Sequence, residues 1–273
     1  MDNIETGCPL IIIRGETLPE AWEKSVIACW EKGTKIKTEY DKLEDPLSRD
    51  CTMVMEATHP LKEPRLHRAF PAGLADLEIY RQEVLYGVHD SWINPEEGKW
   101  EYTYHERLFD YKVEGKSIDQ IDYVVRKLSK VPYTRRAQAV TWKCWIDPKF
   151  DDSPCLQRLW FRIFENSLQL NVHMRSNDAF KAAFMNMFVF TELQKIIAEK
   201  ISQKRREKIK IGKYIHIADS YHIYGSYYKE FKGFLNTLNK RSFEERTWPS
   251  DFAQKFFEEG RKRLEKEKKD KVL

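Results

Sequence analysis

A chain of 273 residues is long enough to bury a sizeable core, as one large domain or two small ones. Its 47 basic and 43 acidic side chains leave a formal charge of only +4, which argues against a nucleic-acid coat and still permits a local basic cluster that grips a small anion. No apolar run approaches the roughly 18 residues of a membrane span, and the start lacks the basic-then-apolar order of a signal peptide, so a cytosolic protein is expected. Cysteines at 8, 29, 51, 144 and 155 are odd in number and show no CxxC or Cys/His metal spacing. That pattern suits a reducing compartment better than a disulfide framework or a zinc site. No Pro/Gly/Ser-rich linker interrupts the chain, so a single domain over 1–273 is expected.

Pro19 to Lys32 reads as an amphipathic helix, with Ala21, Trp22, Val26 and Trp30 at helical spacing and Gly33 as its stop; Cys29 is then a small core residue. Cys51 to Ala57 has strand character, and helical pattern resumes from Gly73 to Gly87. Ile118, Ile121, Val125 and Leu128 form a helical stripe before Thr134-Arg135-Arg136, after which a strand is expected over Ala137 to Ile146. Two more strands, Leu156 to Phe164 and Leu168 to Arg175, flank Glu165-Asn166-Ser167, a spacing that reads as a hairpin. In the second of them Leu168, Leu170, Val172 and Met174 share one face, and Gln169, Asn171, His173 and Arg175 the other.

Phe180 to Ile201 is the longest helical pattern, apolar on most sides in its first half, which predicts a buried central helix. The charge run 203–210 reads as a solvated helix end or loop. Tyr214 to Asp219 is a short strand candidate, Gly225 to Asn239 a helix, and Phe252 to Lys269 a highly charged helix within a tail at 250–273.

Several residues can carry chemistry. Cys155 is either a small core residue or a nucleophile, the latter if a nearby cation favours its thiolate, for which Arg175 is available if the two strands pair. Arg175 and Ser176 can also bind a phosphate, and Arg135-Arg136 is either a solvent-facing pair or a fork against phosphate oxygens. Asn186, on the apolar part of the central helix, is a satisfied core amide or a reader of a heterocycle edge. His59, His67, His89 and His105 do not form a metal-ligand spacing and are assigned surface or core roles. Most tryptophans read as packing residues.

The order Thr134-Arg135-Arg136, Ser-Pro-Cys155, Arg175-Ser176-x-Asp178-x-Phe180, Asn186, and Asp219-x-x-His222-Ile223-Tyr224 resembles thymidylate synthase and its nucleotide hydroxymethylase relatives. The resemblance runs from about Gly115 to Phe231, is looser from Pro19 to Tyr111, and is absent over the charged tail. It implies an α+β fold in which a mixed sheet is layered by helices and packs against the sheet of a second subunit. It also implies reductive methylation of dUMP to dTMP in a homodimer, with methylenetetrahydrofolate or a related methylene-tetrahydropterin as donor and no metal.

By that resemblance Cys155 adds to C6 of uracil, and Arg175 and Ser176 hold the 5′-phosphate with Arg135 and Arg136 of the other subunit. Asn186 pairs with N3 and O4, His222 and Tyr224 meet the sugar 3′-hydroxyl, and Asp178 meets the pterin. The acid–base carboxylate is best matched by Glu83, with Glu78 as competitor, and an early phosphate-binding arginine by Arg49. Trp92 or Trp100 is a candidate wall for the folate side. Departures are Leu156 at the usual histidine position, an extra residue Tyr221 before His222, Lys181-Ala182 and Phe184-Met185 near the folate side, and the tail in place of a short apolar C-terminus. They keep open a pyrimidine nucleotide hydroxymethylase acting on dUMP, dCMP or CMP, in which water replaces hydride. Further off stands a non-catalytic nucleotide- or RNA-binding dimer.

Overall fold

In the computed structural model, which describes residues 7–270, the main strands are β1 (Leu10–Gly15), β2 (Thr34–Ile36), β3 (Ser48–Ala57), β4 (Gln138–Val140), β5 (Leu156–Phe164), β6 (Ser167–Asp178) and β7 (Lys210–Ile223). The helices are α1 (Leu18–Lys32), α2 (Leu74–Tyr86), α3 (Tyr104–Phe109), α4 (Gln120–Lys130), α5 (Ala183–Arg205), α6 (Tyr228–Lys240) and α7 (Gln254–Asp270). The architecture is α+β with a mixed sheet. Among the described residues no helix is long and apolar enough to cross a membrane. The chain divides into two compact units, one of residues 1–71, 173–188 and 213–250, the other of 72–172, 189–212 and 251–273.

In the first unit β1 runs parallel to β3, while β2 and β7 pair with β3 antiparallel. Helix α1 starts because Thr17 accepts the Glu20 N–H at 3.4 Å and Pro19 occupies its first turn; it stops at Gly33. Its core anchor is Trp22, fully buried, whose indole N–H donates to Ala179 O at 2.9 Å and whose ring meets His67, Phe184 and Phe234. Cys29 is buried as expected. The buried charge is paired: Glu23 accepts from Arg246 at 2.7 Å and lies 2.8 Å from His67.

In the second unit β4 pairs with β5 antiparallel. Glu165 and Asn166 adopt φ of 48° and 55°, the left-handed pair of a tight hairpin turn between β5 and β6. Leu168, Leu170, Val172 and Met174 of β6 are all fully buried, as their alternation predicts. Helix α2 ends at Gly87, whose φ of 64° favours glycine, and packs along α7 where Gly260 lets the backbones approach.

Four boundaries differ from expectation. Ile118 is exposed at the end of a short hairpin, 111–118, and the stripe begins only at Ile121 because Asp119 caps α4 through the Asp122 N–H. The strand expected over Ala137 to Ile146 ends at Val140. Buried Asp147 takes the Lys143 N–H and the Arg107 guanidinium, both at 2.6–2.7 Å, and turns the chain there. The central helix starts at Ala183 and not Phe180, since Asp178 Oδ1 accepts the Phe180 and Lys181 N–H groups and holds a turn. Finally, β7 extends well beyond Tyr214–Asp219 on both sides, with an irregularity between Ala218 and Tyr221 that absorbs the extra residue as a bulge.

Candidate active site

Each unit carries part of the predicted chemistry: Cys155, Glu83, Arg135 and Arg136 lie in the second, and Arg49, Arg175, Ser176, Asp178, Asn186, His222 and Tyr224 in the first.

In the second unit Tyr80 and Glu83, three residues apart on α2, line a cavity of about 490 Å³ with Trp100, Tyr102, Tyr104 and Asp152. Burial pushes the Glu83 carboxyl above its ordinary pKa; His89, whose Nδ1 lies 2.9 Å from Oε2, opposes the shift, and Asp90 adds to it. Glu78 is in a different position. It is fully buried and accepts from Arg81 at 2.7 and 2.8 Å, Gln82 at 2.8 Å and Arg261 at 3.0 Å. Burial alone would raise its pKa, but those donors outweigh it and the net shift is downward. Of the two carboxylates, Glu83 faces a cavity and holds its proton more tightly, while Glu78 anchors helices.

Cys155, partly exposed, heads β5 between two fixed neighbours. Ser153 donates its hydroxyl to Asp147 O at 2.8 Å, and the Leu156 N–H donates to the Tyr104 hydroxyl at 3.1 Å. Tyr104 is buried, and burial, with Tyr102, Tyr80 and Cys155 adding, pushes its phenol well above the usual range, so it stays a neutral donor. Leu156 itself is fully buried, and its carbonyl accepts from the Thr141 hydroxyl. Arg135 and Arg136 are exposed, while their backbone is held by Trp160 Nε1 to Arg135 O at 3.0 Å and Tyr123 Oη to Arg136 O at 3.1 Å.

In the first unit the end of β6 lies beside the end of β7, where the Ala179 N–H donates to His222 O at 2.8 Å. That bond puts Asp178 and His222 on adjoining stretches of backbone. Burial pushes the Asp178 carboxyl up to about 6, against the Lys181 and Phe180 amides that favour its charge. His222 is buried and held down at about 4 by burial, hence neutral at physiological pH; Tyr224 meets its ring edge-on at 4.6 Å. Arg49 pairs opposite Ile223, between these two, and donates Nη1 to Gly33 O at 2.9 Å. Its Nε is buried without a hydrogen-bond partner. Asn186 is buried on the first turn of α5, and Arg175 and Ser176 are half-buried on β6. Asn177, between Ser176 and Asp178, is buried and bound to His216 Nε2 at 2.8 Å, which fixes this part of the strand.

The family profile described as "Thymidylate synthase" matches residues 72–257. A protein of Methanocaldococcus jannaschii named "Putative thymidylate synthase" is 30% identical over 220 residues, covering 79% of this chain and 91% of that one. A protein of the same name from Methanopyrus kandleri is 30% identical over 195 residues, covering 71% and 86%. The chain belongs to the thymidylate synthase family. Among solved structures it is similar to thermostable thymidylate synthase A from Bacillus subtilis, at a TM-score of 0.58 and 19% identity over 79% of this chain and 83% of that one, a likeness of fold.

Within this thymidylate synthase-family chain, sequence reasoning passed over His89, Tyr80 and Tyr104. His89, given a surface or core role, takes the core one, buried against Glu83. The signals were the three-residue spacing of Tyr80 and Glu83 on one helix face and the alternation of Tyr102 and Tyr104 beside Trp100. Of the two tryptophans considered, Trp100 lines the cavity and Trp92 stacks on His89 at 3.9 Å.

Proposed function

We propose that the protein is a thymidylate synthase that methylates dUMP to dTMP as a homodimer in the cytosol. The observation that carries this reading is the cavity where Glu83, its pKa raised by burial, stands with Tyr80, Trp100 and Tyr104, the residue after Cys155 donating its N–H to the Tyr104 hydroxyl at 3.1 Å. Cys155 is the nucleophile: its thiolate adds to C6 of uracil, so that the electron pair of the 5,6 double bond becomes available at C5. Glu83 gives and takes protons at O4 and C5, the task for which a raised carboxylate pKa is suited.

Arg175 and Ser176 hold the 5′-phosphate, with Arg49 and the partner's exposed Arg135 and Arg136 completing the clamp. His222, neutral, and Tyr224 bond the 3′-hydroxyl. Asn186 pairs with N3 and O4 of uracil, which selects uracil over cytosine. A methylene-tetrahydropterin supplies the one-carbon unit and the hydride. Asp178 is suited to hold it, because Oδ1 serves the turn and the carboxyl, tuned to about 6, can accept from the N–H edge of a pterin. A homodimer is supported by Leu10 and Ile12, which are 64% and 72% exposed on β1, with Val54 in register beside Ile12.

Leu156, buried at the position where the family resemblance implies histidine, favours a second reading, hydroxymethylation, since a polar group that could organise water beside the nucleophile is replaced by an apolar one. Incubation with dUMP, dCMP or CMP and either methylenetetrahydrofolate or its methanopterin counterpart, followed by mass analysis of the pyrimidine, separates the two. Methylated dUMP with dihydropterin supports the proposal, and a hydroxymethylated product with tetrahydropterin overturns it.

A further inference from the structure

Helix α7 does more than cover α2. Arg261 reaches Glu78 at 3.0 Å and Arg263 reaches Asp76 at 3.4 Å, while Phe257 and Leu264 bury their side chains. Further along the helix Glu267 Oε2 comes to 3.5 Å from His89 Nε2. The other nitrogen of the same ring faces Glu83 at 2.9 Å. His89 is nearly closed off from solvent, stacked on Trp92 at 3.9 Å with Trp100 edge-on at 5.5 Å. The ring therefore has little freedom to tilt, and its Nε2 is buried without a hydrogen bond, the Glu267 carboxylate approaching it at 3.5 Å.

Which nitrogen of an imidazole carries a proton is set by the bond the other makes. A carboxylate can only accept, so an Nε2 turned toward Glu267 is suited to donate there, while Nδ1 of the same ring faces Glu83. Other charged groups face this pair too. Asp90, in the turn after α2, raises the Glu83 pKa and is itself held by His105 at 2.6 Å and Thr103 at 2.5 Å.

We propose that Glu267 is a positioning residue: by engaging His89 at Nε2, it holds the ring with Nδ1 turned to Glu83 and so fixes that carboxyl in the cavity. The role rests on the reading of Glu83 as the acid–base group. Glu267 contributes no atom to the cavity lining, so it acts through His89 alone.

The test begins on the unliganded protein, by following the histidine imidazole nitrogens in NMR. At one fixed pH, Glu267→Gln should move the His89 Nδ1 and Nε2 resonances, whereas the control Glu265→Gln, at an exposed position of the same helix, should leave them in place. In turnover of dUMP, Glu267→Gln should reduce kcat about tenfold. KM for dUMP should stay unchanged, the acidic limb of the kcat–pH profile should move, and Glu267→Asp should recover part of the loss. Glu267 is half exposed, so these variants should keep the fold, which circular dichroism checks. Unmoved His89 resonances overturn the proposal, and so do moved resonances with an unchanged kcat profile. Absence of turnover in the unsubstituted protein would count against the assigned activity, and the resonances would then decide the contact by themselves.

Discussion

A thiol, a carboxylate and an amide are asked for different things in this chain, and their surroundings separate those demands. If Cys155 is the nucleophile as proposed, Cys155→Ser puts in its place a hydroxyl with almost no ionised fraction, so dTMP formation should fall by several orders of magnitude while dUMP still binds, which calorimetry and a product assay check together. Asn186→Asp exchanges an amide for an acceptor-only group and should shift preference from dUMP toward dCMP, read as a ratio of kcat/KM values.

Asp178 carries a stability cost. Its carboxyl titrates at about 6 in place of 3.8, so between those values the folded chain binds more protons than the unfolded one, and stability falls as pH rises through that window. Asp178→Asn keeps an oxygen for the Phe180 and Lys181 amides and removes the charge. Urea unfolding should show it more stable than the parent at pH 7.5, by of order 2 kcal/mol, with the gain shrinking toward pH 4. A gain that is equal at both pH values would refute burial as the cause.

Among the elements, those whose side chains alternate or repeat against one core were readable. β6 announced itself through Leu168 to Met174, and α1 through Ala21 to Trp30, because burial on one face leaves a period in the sequence. The turn from Asn94 to Lys99, whose last two residues line the Glu83 cavity, left none; its backbone bonds are local, such as Lys99 N to Asn94 O at 3.1 Å. The shortened strand before Cys155 was equally hidden, since it depends on Asp147 meeting Arg107 from 40 residues away. Helix α7 read as a highly charged helix, and its buried residues Phe257, Gly260 and Leu264, three and four positions apart, were masked by the charges between them. Gly260 is the tightest point: a Cβ there would sit 2.6 Å from the Ala75 carbonyl oxygen, a backbone atom that cannot yield without moving α2. Gly260→Val should therefore force the two helices apart at a cost of about 2 kcal/mol in thermal or urea unfolding, and loosen Glu83 with them. Gly233→Val, where nothing lies within 4 Å of the added Cβ, is the matching control for helix propensity.

At the scale of the whole molecule, the family motifs were legible from Thr134 to Tyr224 as residue types at set spacings, and the homodimer that would complete the proposed site came with the same resemblance, with surfaces in support. Exposed Ile12 beside Val54, and exposed Arg135 and Arg136 on a rigid backbone, are groups that a second copy would use. If Arg136 serves the partner's phosphate, Cys155→Ser and Arg136→Ala damage different parts of a shared site. A mixed dimer then has one site lacking both groups and one lacking neither. With random pairing half the dimers are mixed, so mixing two nearly inactive proteins and letting subunits exchange should restore about a quarter of the parental activity, measured below the KM for dUMP. Were both residues to act within one chain, every site in the mixture would still carry one lesion, and exchange would restore nothing.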